Sequence, residues 1–160
     1  MILKDAKVRD VMTREPITVD PEAPLGTAIA VMREKGFRHL PVTDEAGRLV
    51  GIITDRDLRN AAMAPALAEH LSLAARRRLR GLGQALEEIR VKDAMTWGVV
   101  TTHPEATLTR AAAIMFQGRF GSLPVVEAGK LVGILTERDV LKTLMLSSPE
   151  SRETAATFLW

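Results

Sequence analysis

No cysteine occurs among the 160 residues, which excludes disulfides, thiolate metal sites and a cysteine nucleophile. Aromatic residues make up only 4% of the chain, too few to supply the stacking partners that a nucleic-acid-binding face uses. No apolar run approaches the roughly 20 residues needed to cross a bilayer. The three histidines, His39, His70 and His103, are scattered and show no metal-ligand spacing. No serine sits in a nucleophile pattern. Ser122, in Gly118-Arg119-Phe120-Gly121-Ser122, lacks the nucleophile-elbow order, and no carboxylate pair stands out for acid–base work. A large excess of one charge is also missing. Twenty-two Lys and Arg face twenty Asp and Glu, for a net charge of +2 and a pI of about 9.3. That mild basic balance fits a small anionic ligand and falls short of a DNA-binding footprint. The opening Met1-Ile2-Leu3-Lys4-Asp5 reaches a charge too early for a secretory signal. These absences set the expectation of a soluble, cytoplasmic, non-catalytic protein that needs no cofactor or metal.

What the chain does contain is a duplication. Residues 8–58 lie over 91–140 with one gap, at Ala46, and 24 of 50 paired positions are identical. Val8-Arg9-Asp10-Val11-Met12-Thr13 matches Val91-Lys92-Asp93-Ala94-Met95-Thr96. Pro21-Glu22-Ala23 matches Pro104-Glu105-Ala106, and Leu40-Pro41-Val42 matches Leu123-Pro124-Val125. Gly51-Ile52-Ile53-Thr54-Asp55-Arg56-Asp57 matches Gly133-Ile134-Leu135-Thr136-Glu137-Arg138-Asp139. Repeats of this kind organise a fold before any single motif does.

Each copy reads as strand, helix, strand, strand, helix. Ile17-Thr18-Val19 and Val99-Val100-Thr101 are β-branched runs. Leu25, Ala28, Ile29 and Met32 recur at helical spacing, as do Leu108, Ala111, Ala112 and Met115. Pro24 suits a first helical turn and Thr107 an N-cap. Two further runs follow, separated by a turn through 44–48 in which Gly47 can take a positive φ. The second copy turns tighter, through Glu127-Ala128-Gly129-Lys130. A final helix is expected from Asp57 or Asp139. A unit of about 50 residues buries too little surface to be comfortable alone, so the two copies are expected to share one domain. The boundaries are 1–59 for the first motif, 60–90 for a helical insertion, 91–146 for the second motif and 147–160 for a tail. Within the insertion, Pro65 can open a helix, and Leu67, Leu71, Ala75, Leu79, Leu82, Leu86 and Ile89 form an apolar stripe that Gly81 and Gly83 interrupt. Arg76-Arg77-Arg78-Leu79-Arg80 reads as a solvated helix face.

The most informative motif is Thr54-Asp55-Arg56-Asp57 and its repeat, Thr136-Glu137-Arg138-Asp139. It reads as a capping box, with the Thr hydroxyl taking the N3 amide and the Asp carboxylate reaching back to the N-cap amide. The same strand-to-helix corner also offers amides at the positive end of a helix dipole to an anion. Its duplication in one context argues for more than a cap. With Asp10-Val11-Met12-Thr13, Thr18 before Pro21, and Leu40-Pro41-Val42, these residues resemble the CBS domain, named for cystathionine β-synthase.

That resemblance implies a fold class of α/β, α+β-like: tandem motifs, each a small three-stranded sheet with two helices, packed about a pseudo-twofold into one domain with two clefts. It implies that AMP, ADP, ATP or S-adenosylmethionine is the ligand. Asp57 and Asp139 would hold ribose hydroxyls, and Thr54 and Thr136 would contact ribose or the first phosphate. Main chain near Thr18 and Thr101, with Val42 and Val125 as walls, would hold adenine. Arg56 and Arg138 would lie near phosphates. It also implies a homodimer, acting on a separate output protein. Arg38 and His39 stand where basic phosphate contacts are often placed, whereas the second copy has Gly121 and Ser122, so the two clefts are expected to differ. Arg38 as an ordinary surface arginine, with His39 at a strand edge, is the competing reading. An interaction module with empty clefts is the main functional rival; a nucleic-acid binder using the arginine run is the lesser one.

Overall fold

The computed structural model of the chain describes residues 6–68 and 89–147, with 62–68 described by backbone alone. A short helix α1 (Val8–Val11) leads into strand β1 (Thr13–Arg14), helix α2 (Leu25–Lys35), strands β2 (His39–Thr43) and β3 (Leu49–Thr54), and helix α3 (Asp55–Ala68). The second copy repeats the order as α4 (Val91–Ala94), β4 (Thr96–Trp97), α5 (Leu108–Gly118), β5 (Ser122–Glu127), β6 (Lys130–Thr136) and α6 (Glu137–Ser147).

The sequence repeats are not the units of the fold. One compact unit holds Met1–Pro16 with Val100–Trp160; the other holds Ile17–Val99. The leading segment of each copy is exchanged. β1 pairs antiparallel with β6, giving the order β1-β6-β5, and β4 pairs with β3, giving β2-β3-β4. Among the described residues each sheet carries three helices, one of them the four-residue turn α1 or α4, which the sequence pattern does not disclose. The architecture is thus α+β in tandem, as expected.

The exchanged segments are held chiefly by burial. Val8 and Val91 are fully buried, which at the usual rate contributes about 1.5–3 kcal/mol each. The exposed pairs Arg9–Glu105 and Lys92–Glu22 occupy equivalent positions but add at most about 1 kcal/mol apiece. Asp10 and Asp93 accept from the amides of Lys7 and Arg90 at 3.0 and 3.1 Å, which closes the first turn of α1 and α4. Each unit has its own core. Leu25, Ala28, Met32, Leu40, Val42 and Ile53 pack with Val91 and Met95 in one; Leu108, Ala111, Met115, Leu123, Val125 and Leu135 pack with Ala6 and Val8 in the other.

The expected strands at 17–19 and 99–101 do not form. In their place the chain makes one parallel bridge per unit, Val19 with Val42 and Thr102 with Val125. Prolines explain the truncation. Val19 donates to the Pro41 carbonyl at 3.1 Å and accepts from Thr43 at 3.1 Å. The next bond on one side needs an N–H on Pro41, and on the other an N–H on Pro21; neither has one. Pro124 and Pro104 cut the second bridge in the same way, around the Thr102 bonds of 3.0 and 2.9 Å.

The final helices begin two residues earlier than expected, at Asp55 and Glu137, because Thr54 and Thr136 are their caps. α3 continues through Pro65 to Ala68. Asn60-Ala61-Ala62-Met63-Ala64 contains no breaker, so the proline lies within this helix and does not open a new one. Thr107 caps α5 by accepting from the Arg110 amide at 3.2 Å, and Gly47 takes φ +74, both as expected. The arginine run 76–80, most of the apolar stripe, and the tail lie outside the described residues.

Candidate functional site

Each unit presents one strand-to-helix corner, built twice to the same dimensions. At the end of β3, the Asp57 Oδ2 accepts from the Thr54 amide at 2.9 Å and from the Thr54 hydroxyl at 2.7 Å, and the Asp57 amide donates back to the hydroxyl at 3.3 Å. At the end of β6, Asp139 and Thr136 repeat these bonds at 2.9, 2.6 and 3.4 Å. The capping box is therefore present in both copies.

The corner is a poorer anion site than its helix dipole suggests. The Asp55 amide donates to the Arg38 carbonyl at 3.0 Å, and the Glu137 amide to the Gly121 carbonyl at 3.1 Å. With the third amide of each turn on threonine, only the amides of Arg56 and Arg138 are left to an outside partner. A carboxylate also stands at each helix start, and it repels phosphate placed directly against it. What the carboxylate offers is an acceptor. Both threonine bonds reach Oδ2 and none uses Oδ1. A half-buried carboxylate fixed through one oxygen suits neutral donors such as a pair of vicinal hydroxyls.

The surroundings of the two corners differ. His39 lies opposite Thr54 in the β2–β3 register, and Arg38 precedes it with an exposed side chain. Asp55 is held below the usual aspartate range first by its bond to Arg59, at 2.7 Å, and further by the charges of Arg59, Arg38 and His39, against a smaller opposing effect of burial. In the other unit Ser122 lies opposite Thr136 and is buried. One corner therefore carries a cluster of Arg38, His39, Asp55 and Arg59; its counterpart has a glycine and a buried serine.

The remaining expected residues separate into two groups. Thr18, Thr101, Arg56 and Arg138 are exposed. The parallel bridge sets 17 and 18 level with 40 and 41, near the sheet end where His39 faces Thr54; Thr101 stands likewise beside β5. Val42 and Val125 are fully buried and their side chains belong to the cores. The exposed apolar groups beside each bridge are Ile17 and Val100, at 41% and 42% exposure. The sequence pattern places these two in strands, because both are β-branched apolar residues at one repeat position. It does not single out Asp55, which lies within the Thr54–Asp57 motif. No cluster among the described residues could hold a metal ion, and no helix among them is long and apolar enough to cross a membrane.

Residues 8–64 and 91–146 match the CBS domain model. The inosine-5′-monophosphate dehydrogenase of Methanocaldococcus jannaschii is 33% identical over 139 residues; these cover 85% of this chain but 23% of that protein. The chain spans about a quarter to a third of the length of that enzyme and of the other first-matched curated relatives. A CBS domain-containing protein of Dictyostelium discoideum is 32% identical, with 86% of this chain and 90% of that protein covered. Among solved structures, CBSX2 in complex with AMP superposes with a TM-score of 0.71 at 29% identity, covering 89% of this chain and 99% of that one. A CBS domain pair in complex with 5′-methylthioadenosine and S-adenosyl-L-methionine gives 0.69 at 26% identity, covering 89% and 98%.

Proposed function

The chain belongs to the CBS-domain family, and on that premise we propose that it is a regulatory sensor that binds adenosine-type nucleotides and catalyses nothing. The observation that carries this reading is the doubled corner, in which a threonine-anchored aspartate keeps one oxygen available beside an exposed apolar residue and an exposed arginine. Asp57 and Asp139 hold the ribose hydroxyls, Thr54 and Thr136 the adjoining ribose or first phosphate, and main chain at Thr18 and Thr101 the adenine, with Ile17 and Val100 against its face. Arg56 and Arg138 take phosphate charge. Arg38 and His39 add charge on one side only, so the ligand there carries more phosphate. The resemblance to proteins crystallised with AMP and with S-adenosyl-L-methionine supports the ligand class. Titration calorimetry of the whole chain with AMP, ADP, ATP and S-adenosylmethionine tests it. Binding should weaken at least about tenfold in Asp57→Asn or Asp139→Asn, since one charge-assisted bond contributes about 1.5–3 kcal/mol. Equal affinity in both variants contradicts the assignment.

The working form is proposed to be a homodimer that signals to a separate cytoplasmic protein. Leu141, Leu144 and Met145 follow one another at helical spacing along α6, each at least half exposed, and that helix buries no residue in its own unit. An apolar stripe of this kind seeks a partner surface. Leu144→Glu should convert a dimer to a monomer in sedimentation velocity; unchanged sedimentation would assign that stripe to something else.

A further inference from the structure

The chain leaves its first unit at Pro16, and the residue just before is held in an awkward conformation. Glu15 has φ +46. Left-handed backbone is unfavourable for any residue with a Cβ. It is doubly so before proline, whose ring pushes the preceding residue toward extended conformations. The equivalent position in the second copy is Gly98, at φ +63, followed by Val99. There the same geometry costs little. The two crossings between units are thus built alike, but only the first is strained.

Residues 6–14 dock as one piece. Ala6 and Val8 are fully buried against the core of the first unit, β1 pairs with β6, Val8 donates to the Ala106 carbonyl at 2.9 Å, and Arg9 pairs with Glu105. These contacts are all made with residues after Val100, none with the segment that follows Pro16. A second copy of the chain can supply them equally well. If Glu15 and Pro16 extend, the segment reaches out, its contacts re-form on another molecule, and the strain at Glu15 disappears.

We propose that residues 6–14 swap between two copies of this chain, with Glu15-Pro16 as the hinge. Strained short hinges favour such exchange. This partnership differs from a dimer made through the face of α6, and it does not depend on any nucleotide.

The chain has no native cysteine, so introduced thiols report the exchange without background. Arg9→Cys and Glu105→Cys are made in separate full-length chains. The two are mixed, unfolded and refolded together at high concentration, then oxidised with glutathione disulfide. A swapped dimer brings the two thiols together and yields a disulfide-linked heterodimer on a non-reducing gel. The same chains mixed after separate refolding yield little, because the closed form keeps each segment at home. Glu15→Gly introduced into both chains relieves the closed form and should lower the linked fraction by about fivefold or more. No linked heterodimer after co-refolding would overturn the proposal. So would a linked fraction that Glu15→Gly leaves unchanged, since linkage by surface collision or by an α6-face dimer is indifferent to the hinge.

Discussion

On the proposed function, Asp57 and Asp139 serve two ends with one carboxylate. Each fastens its helix cap through Oδ2 and keeps Oδ1 for a donor. Truncation should therefore cost stability even without ligand. Asp57→Ala removes the carboxylate half of the capping box, worth about 1 kcal/mol, which for a chain of this size lowers the midpoint by about 2–4 °C. A midpoint unchanged in differential scanning calorimetry would mean the cap is not formed in solution. Asp44 offers a test by pH. Its carboxylate accepts from the Ala46 and Arg48 amides at 3.0 and 2.9 Å and from the Arg48 side chain at 2.7 Å. Its pKa is lowered, chiefly by the Arg48 backbone bond. A carboxyl depressed by folding stabilises the protein fully above its unfolded value of about 3.9 and loses that contribution as pH falls through the folded value. Wild type should thus lose stability below about pH 4 more steeply than Asp44→Asn. Parallel acid limbs would show that Asp44 is unpaired in solution. At this scale the sequence was readable where a residue acts locally. Thr107, Gly47 and the Thr–Asp boxes needed only their neighbours in the chain to be placed. Ile17, Val100 and Asp55 were less legible: Ile17 and Val100 stand beside β2 and β5, and Arg38 and His39, which add to the local Arg59 bond in lowering the Asp55 pKa, reach it through the β2–β3 pairing.

At the scale of elements, the exchanged segments explain two glycines that periodicity cannot. Gly51 and Gly133 sit in the middle of the central strands β3 and β6, where glycine weakens a sheet. A Cβ on Gly51 would lie 2.6 Å from the Met95 sulfur and 2.9 Å from the Thr96 carbonyl; on Gly133, 2.5 Å from the Met12 sulfur and 3.0 Å from the Thr13 carbonyl. The sulfur can move, but the paired strand's carbonyl cannot without breaking its ladder. Gly51→Ala and Gly133→Ala should each cost about 1–3 kcal/mol, read as a lower urea midpoint; a neutral result would place β1 and β4 elsewhere. α5 makes the opposite case. α2 ends on Gly36 at φ +68, but α5 ends on Arg119 at φ +54, the glycine having moved one place earlier to Gly118, beneath the Phe120 ring. Arg119→Gly should therefore stabilise by about 0.5–1 kcal/mol, the relief of left-handed strain less the added freedom of the unfolded glycine. The helices and the β2–β3 and β5–β6 hairpins were legible from periodicity and turn residues. The short strands were misplaced because a β-branched run says nothing about which N–H groups its neighbour lacks. The exchange was invisible because both copies carry the same leading motif.

For the molecule as a whole, the duplication alone points to both candidate corners and to the family. The contrast of Arg38-His39 with Gly121-Ser122 was legible there too; what the repeat could not supply was that Asp55 and its partner Arg59 join Arg38 and His39 at one sheet end. The central claim is that these corners receive adenosine nucleotides. Thermal unfolding of the whole chain against AMP, ADP, ATP and S-adenosylmethionine, with GTP as control, tests it most directly. A ligand at about 100 times its Kd adds roughly 2.7 kcal/mol, which at about 2–4 °C per kcal/mol is a rise of several degrees. The account predicts that rise with at least one adenosine ligand and not with GTP, and its loss in Asp57→Ala or Asp139→Ala when compared with each variant's own baseline. No rise with any of the four, or a rise that survives in the variant carrying both substitutions, would contradict it.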